Sequence, residues 1–383
     1  MIDINYEKIH CPVCENNDID NVFESEINEV ILHGIIKVKV NIGICKKCGL
    51  VFQNPQPYET SLNEYYKLQS DTIEQSDDIR SEYYEIYTYI KNNTNYELIN
   101  KVLDIGCRRG EMLKLFKSDN KHILGIEPSE CNVKYLNEAL IPVIKSTFNN
   151  QAVKDKQFNL IMLINVLEHI KNPGKIVTEI YNKLTSNGYL FISVPNFDKC
   201  INDENINNIS NYFGFQHLQY FTLDILVSLL QKSGFNIVKY DIKDSSINVI
   251  CNVSNDIKLE FKNQYERNKE MLRKFLNGRK QKLANLVYIL KNFNSNGLVI
   301  YGAGAHTTQL MQIMNFDKLN LVGICDSDEN KYGMSLGGFK VCNINELDAS
   351  KFKDILISSN AYQDEIYEYL IGKFPGKNII KLY

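Results

Sequence analysis

Val102-Leu103-Asp104-Ile105-Gly106-Cys107-Arg108-Arg109-Gly110-Glu111-Met112-Leu113 reads as an apolar strand that ends in a glycine turn and opens a helix. A glycine turn after the first strand lets a ligand approach the backbone closely. Taken alone it is weak evidence, because Gly106 and Gly110 equally serve a tight strand–helix connection. Two later segments strengthen it. Leu124-Gly125-Ile126-Glu127-Pro128-Ser129 sets an acid at the end of the next strand, where a carboxylate accepts both hydroxyls of a ribose. Phe158 to Ile170, FNLIMLINVLEHI, is a buried strand that empties into a polar lip containing Asn165. Residues 101–255 alternate apolar strands with helical segments, the pattern of βαβ units and a parallel sheet. Strands are expected at Lys101–Ile105, Ile123–Glu127, Leu160–Ile164 and Tyr189–Val194.

The flanks read differently. Residues 1–58 are short, β-like and cysteine-paired, and end in Asn54-Pro55-Gln56-Pro57, which suits an extended exit. A tyrosine-rich stretch follows, from about 59 to 95, with apolar residues at helical spacing. Residues 257–293 are charged and helix-favouring, one or two long helices with Gly278 as a candidate break. At Gly297 a second strand–turn–helix begins, LVIYGAGAHTTQLMQIM, and the segments LVGICD and DILIS follow as strands. The expected fold class is therefore α/β, with domains at 1–58, 59–256 and 257–383.

The chain has 383 residues, 44% hydrophobic and 23% charged, with a net charge of −3. At a typical ~150 residues per domain this allows two or three domains with real cores. No basic excess recommends nucleic acid as a partner. MIDINYEKIH lacks an apolar core behind a positive start, so no signal peptide is expected. No apolar run approaches the ~18 residues that span a bilayer. A soluble, cytoplasmic protein with no membrane partner is expected, either monomer or homodimer.

Cys11-Pro12-Val13-Cys14 and Cys45-Lys46-Lys47-Cys48-Gly49 form two CxxC pairs. Each knuckle supplies two thiolates, and together they make a tetrahedral set for structural Zn²⁺ with no position left open for catalysis. Such a metal would stabilise a module too small to hold together by burial alone. His10 is adjacent but is not expected to be a ligand. The remaining cysteines are scattered, as reduced, buried thiols usually are.

The order LDIGCRRGEML, GIEPS, FNLIMLINVLEHIKNP, LTSNGYLFISVPN over roughly residues 100–200 resembles the class I S-adenosylmethionine-dependent methyltransferases. The resemblance implies that S-adenosyl-L-methionine binds between Asp104–Gly110 and Glu127. Asp104 and Gly106 would line its methionine end, Glu127 would take the ribose hydroxyls and Asn165 would sit beside it. Many members read GxGxG in the turn; here Arg108 holds the central glycine position. An NAD-dependent oxidoreductase calls for GxGxxG, which GCRRG does not supply.

Nearly the whole chain resembles the zinc-containing sugar C-methyltransferases of deoxysugar pathways. In that arrangement a zinc-binding module precedes a central Rossmann-like methyltransferase domain and a smaller Rossmann-like α/β domain carries the C-terminus. The last is matched by Tyr301-Gly302-Ala303-Gly304-Ala305-His306-Thr307 and by Cys325-Asp326 onward. The implied acceptor is a nucleotide sugar methylated at the carbon beside a ketone. The candidate acceptor-side segment is Phe213-Gly214-Phe215-Gln216-His217-Leu218-Gln219-Tyr220-Phe221-Thr222, with His217 as base and Tyr220 or Tyr66 assisting. The family typically has Glu before this His and a Tyr two positions earlier than that Glu; Gln216 and Gly214 stand there instead. Because Gln cannot ionise, methylation of a hydroxyl, which needs only proximity and one base, stays open beside carbon methylation. Glu168-His169 is a further acid–imidazole pair, although LEH also reads as a helix start. A non-catalytic cofactor-binding protein and a nucleic-acid methyltransferase are the other classes, the latter disfavoured by acidic residues between the CxxC pairs. Gly302 and Gly304 either receive a diphosphate of the acceptor or merely tighten a turn.

Overall fold

The computed structural model describes residues 4–31, 34–69, 78–148, 153–154, 156–201, 213–243, 245–253, 262–291, 297–313, 320–359 and 362–382. The chain forms two compact units. The first comprises residues 1–24, 41–202 and 216–271, and the second residues 25–40, 203–215 and 272–383.

The first unit is built on a seven-stranded sheet in the order Phe235–Ile242, Ser246–Val253, Leu184–Pro195, Phe158–Ile164, Lys101–Ile105, His122–Glu127, Val143–Lys145. The last five of these run parallel, in register from Val143 against Gly125 to Leu190 against Ile161. Counted along the chain, they give the strand order 3-2-1-4-5 of dinucleotide-binding sheets. Such a sheet continues with a parallel sixth strand. Here Ser246–Val253 lies antiparallel beside Leu184–Pro195 and pairs outward with Phe235–Ile242 as a hairpin.

The central strands are apolar on both faces because helices cover both. Leu103, Ile161, Leu163 and Ile192 pack on one side with Val177, Ile180 and Leu229. Val102, Leu160, Met162 and Phe191 pack on the other with Ile90 and Phe116. The helices start where side chains cap them: Ser129 caps Glu130–Glu138, Asn172 caps Pro173–Tyr181 and Thr222 caps Leu223–Lys232. Before the sheet lie helices Glu59–Gln69 and Ser81–Asn93, as the tyrosine-rich stretch led us to expect.

A small sheet joins the cysteine pairs to this unit. The end of the strand carrying Cys45 pairs with Val51–Gln53 (Gly43 against Phe52), which pairs in turn with Gln219–Tyr220 (Val51 against Tyr220). Among the described residues no helix is long and apolar enough to cross a membrane.

The second unit carries a four-stranded parallel sheet in the order Leu321–Cys325, Leu298–Tyr301, Asp354–Ile357, Asn378–Lys381. Its core is split between the two faces, with Ile300, Leu310 and Leu356 on one and Val299, Phe352 and Ile355 on the other. Helix Tyr265–Lys291 runs through Gly278 without a break. A Cβ at Gly278 would meet nothing within 4 Å, so the residue is there at a cost of only about 1 kcal/mol in helix propensity.

Candidate active site

The turn after Lys101–Ile105 is left-handed at three positions: Gly106 (φ 73°), Arg108 (φ 48°) and Gly110 (φ 71°). A Cβ at Gly106 would lie 2.6 Å from Val166 Cγ2, and one at Gly110 2.8 Å from Leu136 Cδ2. Arg108 adopts the conformation a glycine would take freely, at a cost of roughly 1–2 kcal/mol. Its side chain is exposed, so the arginine leaves the turn open. Its backbone N–H donates to Glu127 Oε2 at 2.9 Å. Gly110 stands at the N-cap of helix Glu111–Ser118 and offers no side chain to its first amides, which are left for an external acceptor.

Glu127 ends its strand buried, and Ser129 N–H and Asn132 Nδ2 donate to its Oε1 at 2.9 and 3.3 Å. Burial raises its carboxyl above the ordinary value, against the pull of these donors. Asp104, 4% exposed, sits in register with Gly125 and Met162. Burial and the neighbouring charges of Glu111 and Glu127 push its carboxyl well above the usual carboxylate range. Asn165 follows the Phe158–Ile164 strand at φ 54°, exposed, with its N–H bonded to Ser193 O at 2.9 Å. Asp104, Glu127 and Asn165 thus lie at the carboxyl ends of three adjacent strands, with the glycine turn between them. This is where open α/β sheets bind ligands.

Beside Asn165 the chain makes one 3₁₀ turn, Leu167–His169, the helix-like element expected of LEH. It buries Glu168, and neither carboxylate oxygen has a hydrogen-bond partner. Burial pushes this acid up to about 8. His169 Nδ1 lies 2.9 Å from the carbonyl of Gln216 and its Nε2 lies 3.6 Å from Glu168 Oε1. The His169 and His217 rings are 4.9 Å apart, and burial with the His217 charge pushes His169 down to about 3. His217 is held from its backbone: Gln53 Nε2 donates to its carbonyl at 2.7 Å, and Leu218 N–H donates to Glu168 O at 2.8 Å. Gln53 belongs to the strand that follows the second CxxC pair, so the cysteine module positions the His217 segment.

Tyr66, on helix Glu59–Gln69, has a buried hydroxyl with no hydrogen-bond partner, and burial with the nearby Glu168 charge raises its phenol. Tyr220 is buried in the Gln219–Tyr220 strand against Phe197, the rings 6.4 Å apart. Sequence reading chose His217 and Tyr66 but gave Glu168 little weight. Its signal in the sequence is the acid–imidazole pair Glu168-His169 shortly after an apolar strand.

The four cysteines meet as their spacing requires. Cys11 and Cys48 sulfurs are 3.5 Å apart, Cys14 and Cys45 sulfurs 3.4 Å, and all four lie within 4.8 Å of one another. Sulfurs around a tetrahedral zinc are about 3.8 Å apart, given Zn–S near 2.3 Å. Leu50 N–H donates to Cys48 Sγ at 3.4 Å. The thiols divide among themselves: Cys14, at about 7, and Cys45 are lowered chiefly by the hydrogen bond with Cys11, while Cys11 and Cys48 are raised. Four sulfurs this close are the donor set of a closed tetrahedral metal site. They could bind zinc.

In the second unit the glycine turn is filled from within. A Cβ at Gly302 (φ 114°) would lie 2.7 Å from Ser358 O. Thr307, fully buried, donates to Gly302 O and bonds Ser358 Oγ at 2.8 Å. Asp326 accepts from Ala303 N–H at 2.6 Å, Asp328 N–H at 2.9 Å and Lys331 Nζ at 3.0 Å.

The parallel core, the open turn and the strand-end acid fall within the part of the chain that is similar to methyltransferase domains. A family model described as a methyltransferase domain matches residues 74–240, and one described as C2185-like, N-terminal, matches residues 294–379. Among curated proteins, a ubiquinone biosynthesis O-methyltransferase of Glaesserella parasuis is 30% identical over 119 residues, which cover 28% of this chain and 50% of that protein. A probable polyketide synthase 22 of Dictyostelium discoideum is 27% identical over 149 residues, 32% of this chain and 6% of that protein. The chain thus spans half or less of the length of these relatives. A solved S-adenosylmethionine-dependent methyltransferase of Thermotoga maritima, a possible histamine N-methyltransferase, is 20% identical. It covers 45% of this chain and 88% of its own, with a TM-score of 0.37.

Proposed function

We propose that this protein transfers a methyl group from S-adenosyl-L-methionine to a sugar-like, nucleotide-activated small molecule. The observation that carries the donor half is the convergence of the Gly106–Gly110 turn, Glu127 and Asn165 on one sheet edge. S-adenosylmethionine supplies an electrophilic methyl on sulfonium. In this reading the first amides of helix Glu111–Ser118 and Asp104 hold its amino-acid end, Glu127 its ribose hydroxyls, and Asn165 borders it. The acceptor nucleophile attacks the methyl carbon, the carbon–sulfur bond breaks with its electron pair going to sulfur, and the acceptor's proton passes to a base. His217 is that base or orients the acceptor, with Tyr66 and Tyr220 as neighbouring phenols. Zn²⁺ on Cys11, Cys14, Cys45 and Cys48 is structural. It fixes the knuckles from which Gln53 reaches the His217 carbonyl.

The acceptor half rests on the resemblance of the whole chain to sugar C-methyltransferases and on the domain layout 1–58, 59–256 and 257–383 that comes with it. Ten cysteines, none of them in a disulfide, suit a reducing, cytoplasmic compartment. Oxygen methylation is the second reading. It is favoured by Gln216, whose carbonyl is committed to His169 and whose side chain cannot ionise.

Mass spectrometry of reactions in D₂O tests both halves, with a panel of nucleotide sugars, half 4-keto and half hydroxyl-only. Methylation of keto sugars with deuterium entering beside the ketone gives carbon chemistry; methylation of hydroxyl-only sugars without exchange gives oxygen chemistry. No methyl transfer to any member of the panel would remove the sugar reading.

A further inference from the structure

We infer that Glu168, His169 and His217 form a second metal site, for a divalent first-row transition ion, at the acceptor side of the methyltransferase domain. One oxygen of Glu168 and one ring nitrogen of each histidine lie within 4.8 Å of one another. Two imidazoles and one carboxylate are the donor set that holds such ions while leaving coordination positions open.

The hydrogen bonding makes the case. A carbonyl can only accept, so the 2.9 Å contact to Gln216 O fixes the proton of His169 on Nδ1. Nε2 then carries the lone pair, and it faces Glu168 Oε1 at 3.6 Å. A lone pair set against a carboxylate oxygen repels it unless a proton or a metal ion lies between them. Both Glu168 oxygens are buried without a hydrogen-bond partner, a costly arrangement for an acid with no role. Two ligands at about 2.05 Å from one ion are about 3.3 Å apart, close to the observed 3.6 Å spacing. The supporting shell is in place: His169 has its backbone-carbonyl partner, as metal-bound imidazoles do. Leu218 N–H clamps the Glu168 carbonyl, and Gln53 Nε2 clamps that of His217.

The site is distinct from the cysteine cluster, which closes its own coordination with four sulfurs. An open position at Glu168–His169–His217 would take an acceptor oxygen and polarise it, making its hydroxyl or the carbon beside its ketone easier to deprotonate. That use rests on the acceptor reading above; the binding of the ion does not. It assigns His217 the orienting role rather than that of free base.

The test uses the full chain with its cysteine cluster loaded with zinc, titrated with Mn²⁺ while the electron paramagnetic resonance of free Mn²⁺ is followed. We expect one Mn²⁺ bound per chain, with ¹⁴N modulation from imidazole in the echo spectrum. Binding should weaken at least tenfold in Glu168→Gln and His169→Gln, with S-adenosylhomocysteine affinity as the control for folding. The ¹⁴N signal needs no variant, so a variant that fails to fold does not obscure the answer. Failure of the folded wild-type protein to bind Mn²⁺, Co²⁺ or a second Zn²⁺ would overturn the site, as would unchanged binding in folded Glu168→Gln. A metal bound without methylation of any nucleotide sugar would uphold the site and defeat the sugar reading instead.

Discussion

The two units begin their sheets in the same way and end in different chemistry. In each, the first strand runs into a glycine turn, and an acid at the end of the neighbouring strand accepts a backbone N–H from that turn. Glu127 accepts from Arg108 and Asp326 from Ala303. The second turn is closed by its own side chains, since Thr307 bonds Gly302 and Ser358 and Lys331 neutralises Asp326. Among the described residues the first turn has no such plug. Glu127 is held by amide donors, and burial raises its pKa, whereas Lys331 and two backbone amides lower that of Asp326 despite its burial. The strand beyond the turn also differs: Phe158–Ile164 leads to Asn165, Glu168 and His169, while Asp354–Ile357 leads to Ser358. A strand–turn–helix provides a cradle; what fills it decides whether it receives a ligand.

The sharpest way to break this contrast is at the glycines. Gly106→Ala should abolish cofactor binding and destabilise by about 1–3 kcal/mol, because its Cβ would meet Val166 Cγ2 at 2.6 Å from a left-handed backbone. Gly304→Ala should be close to neutral in thermal melting, because nothing lies within 4 Å of the added carbon. Equal damage from the two would erase the distinction.

Glu127→Gln should weaken S-adenosylhomocysteine binding roughly 10- to 100-fold, the worth of about 1.5–3 kcal/mol for a charge-assisted hydrogen bond. The wild-type affinity should also respond to acid. The Glu127 carboxyl is raised, so the carboxylate proposed above to accept the ribose is lost as pH falls through a value above the ordinary 4.5. Calorimetric titrations from pH 8 downward should show affinity falling in wild type and a flatter profile in Glu127→Gln.

Lys331→Met is the corresponding change in the second unit, with a smaller effect of about 1 kcal/mol on stability, since the ammonium is one-third exposed. The Asp326 carboxyl is depressed, so its contribution is present above the ordinary 3.8 and is lost as pH falls through the lower folded value. Urea melts should show that acid loss in wild type and less of it in Lys331→Met, with cofactor affinity untouched. Replacing Cys45 by Ser probes the support rather than the cradle. It should release zinc and loosen the segment that Gln53 ties to His217.

Much of this was legible because the informative patterns are local. Lys101–Ile105 was placed to the residue, and the acid of GIEPS stands where the alternation put it. Leu184–Pro195 reaches further back than the expected Tyr189 because Thr185-Ser186-Asn187-Gly188, which reads as a turn, is carried within the strand at a register shift. The hairpin Phe235–Ile242 and Ser246–Val253 went unnamed, and its antiparallel seating follows from sheet pairing rather than from its own sequence. Strands of 13 and 12 residues at Ile19–Ile31 and Gly34–Cys45 exceed the short elements expected there. Within the site, residue types were readable and surroundings were not. His217 stood out as one of six histidines. The significance of Glu168 lies in burial without a partner, which only the fold creates.

The most direct test is calorimetric titration of S-adenosylhomocysteine into the wild-type protein, Glu127→Ala and Asp326→Asn. One site per chain, lost in Glu127→Ala and retained in Asp326→Asn, is expected. Binding that survives in folded Glu127→Ala and disappears in folded Asp326→Asn would place the cofactor in the wrong unit and contradict the account.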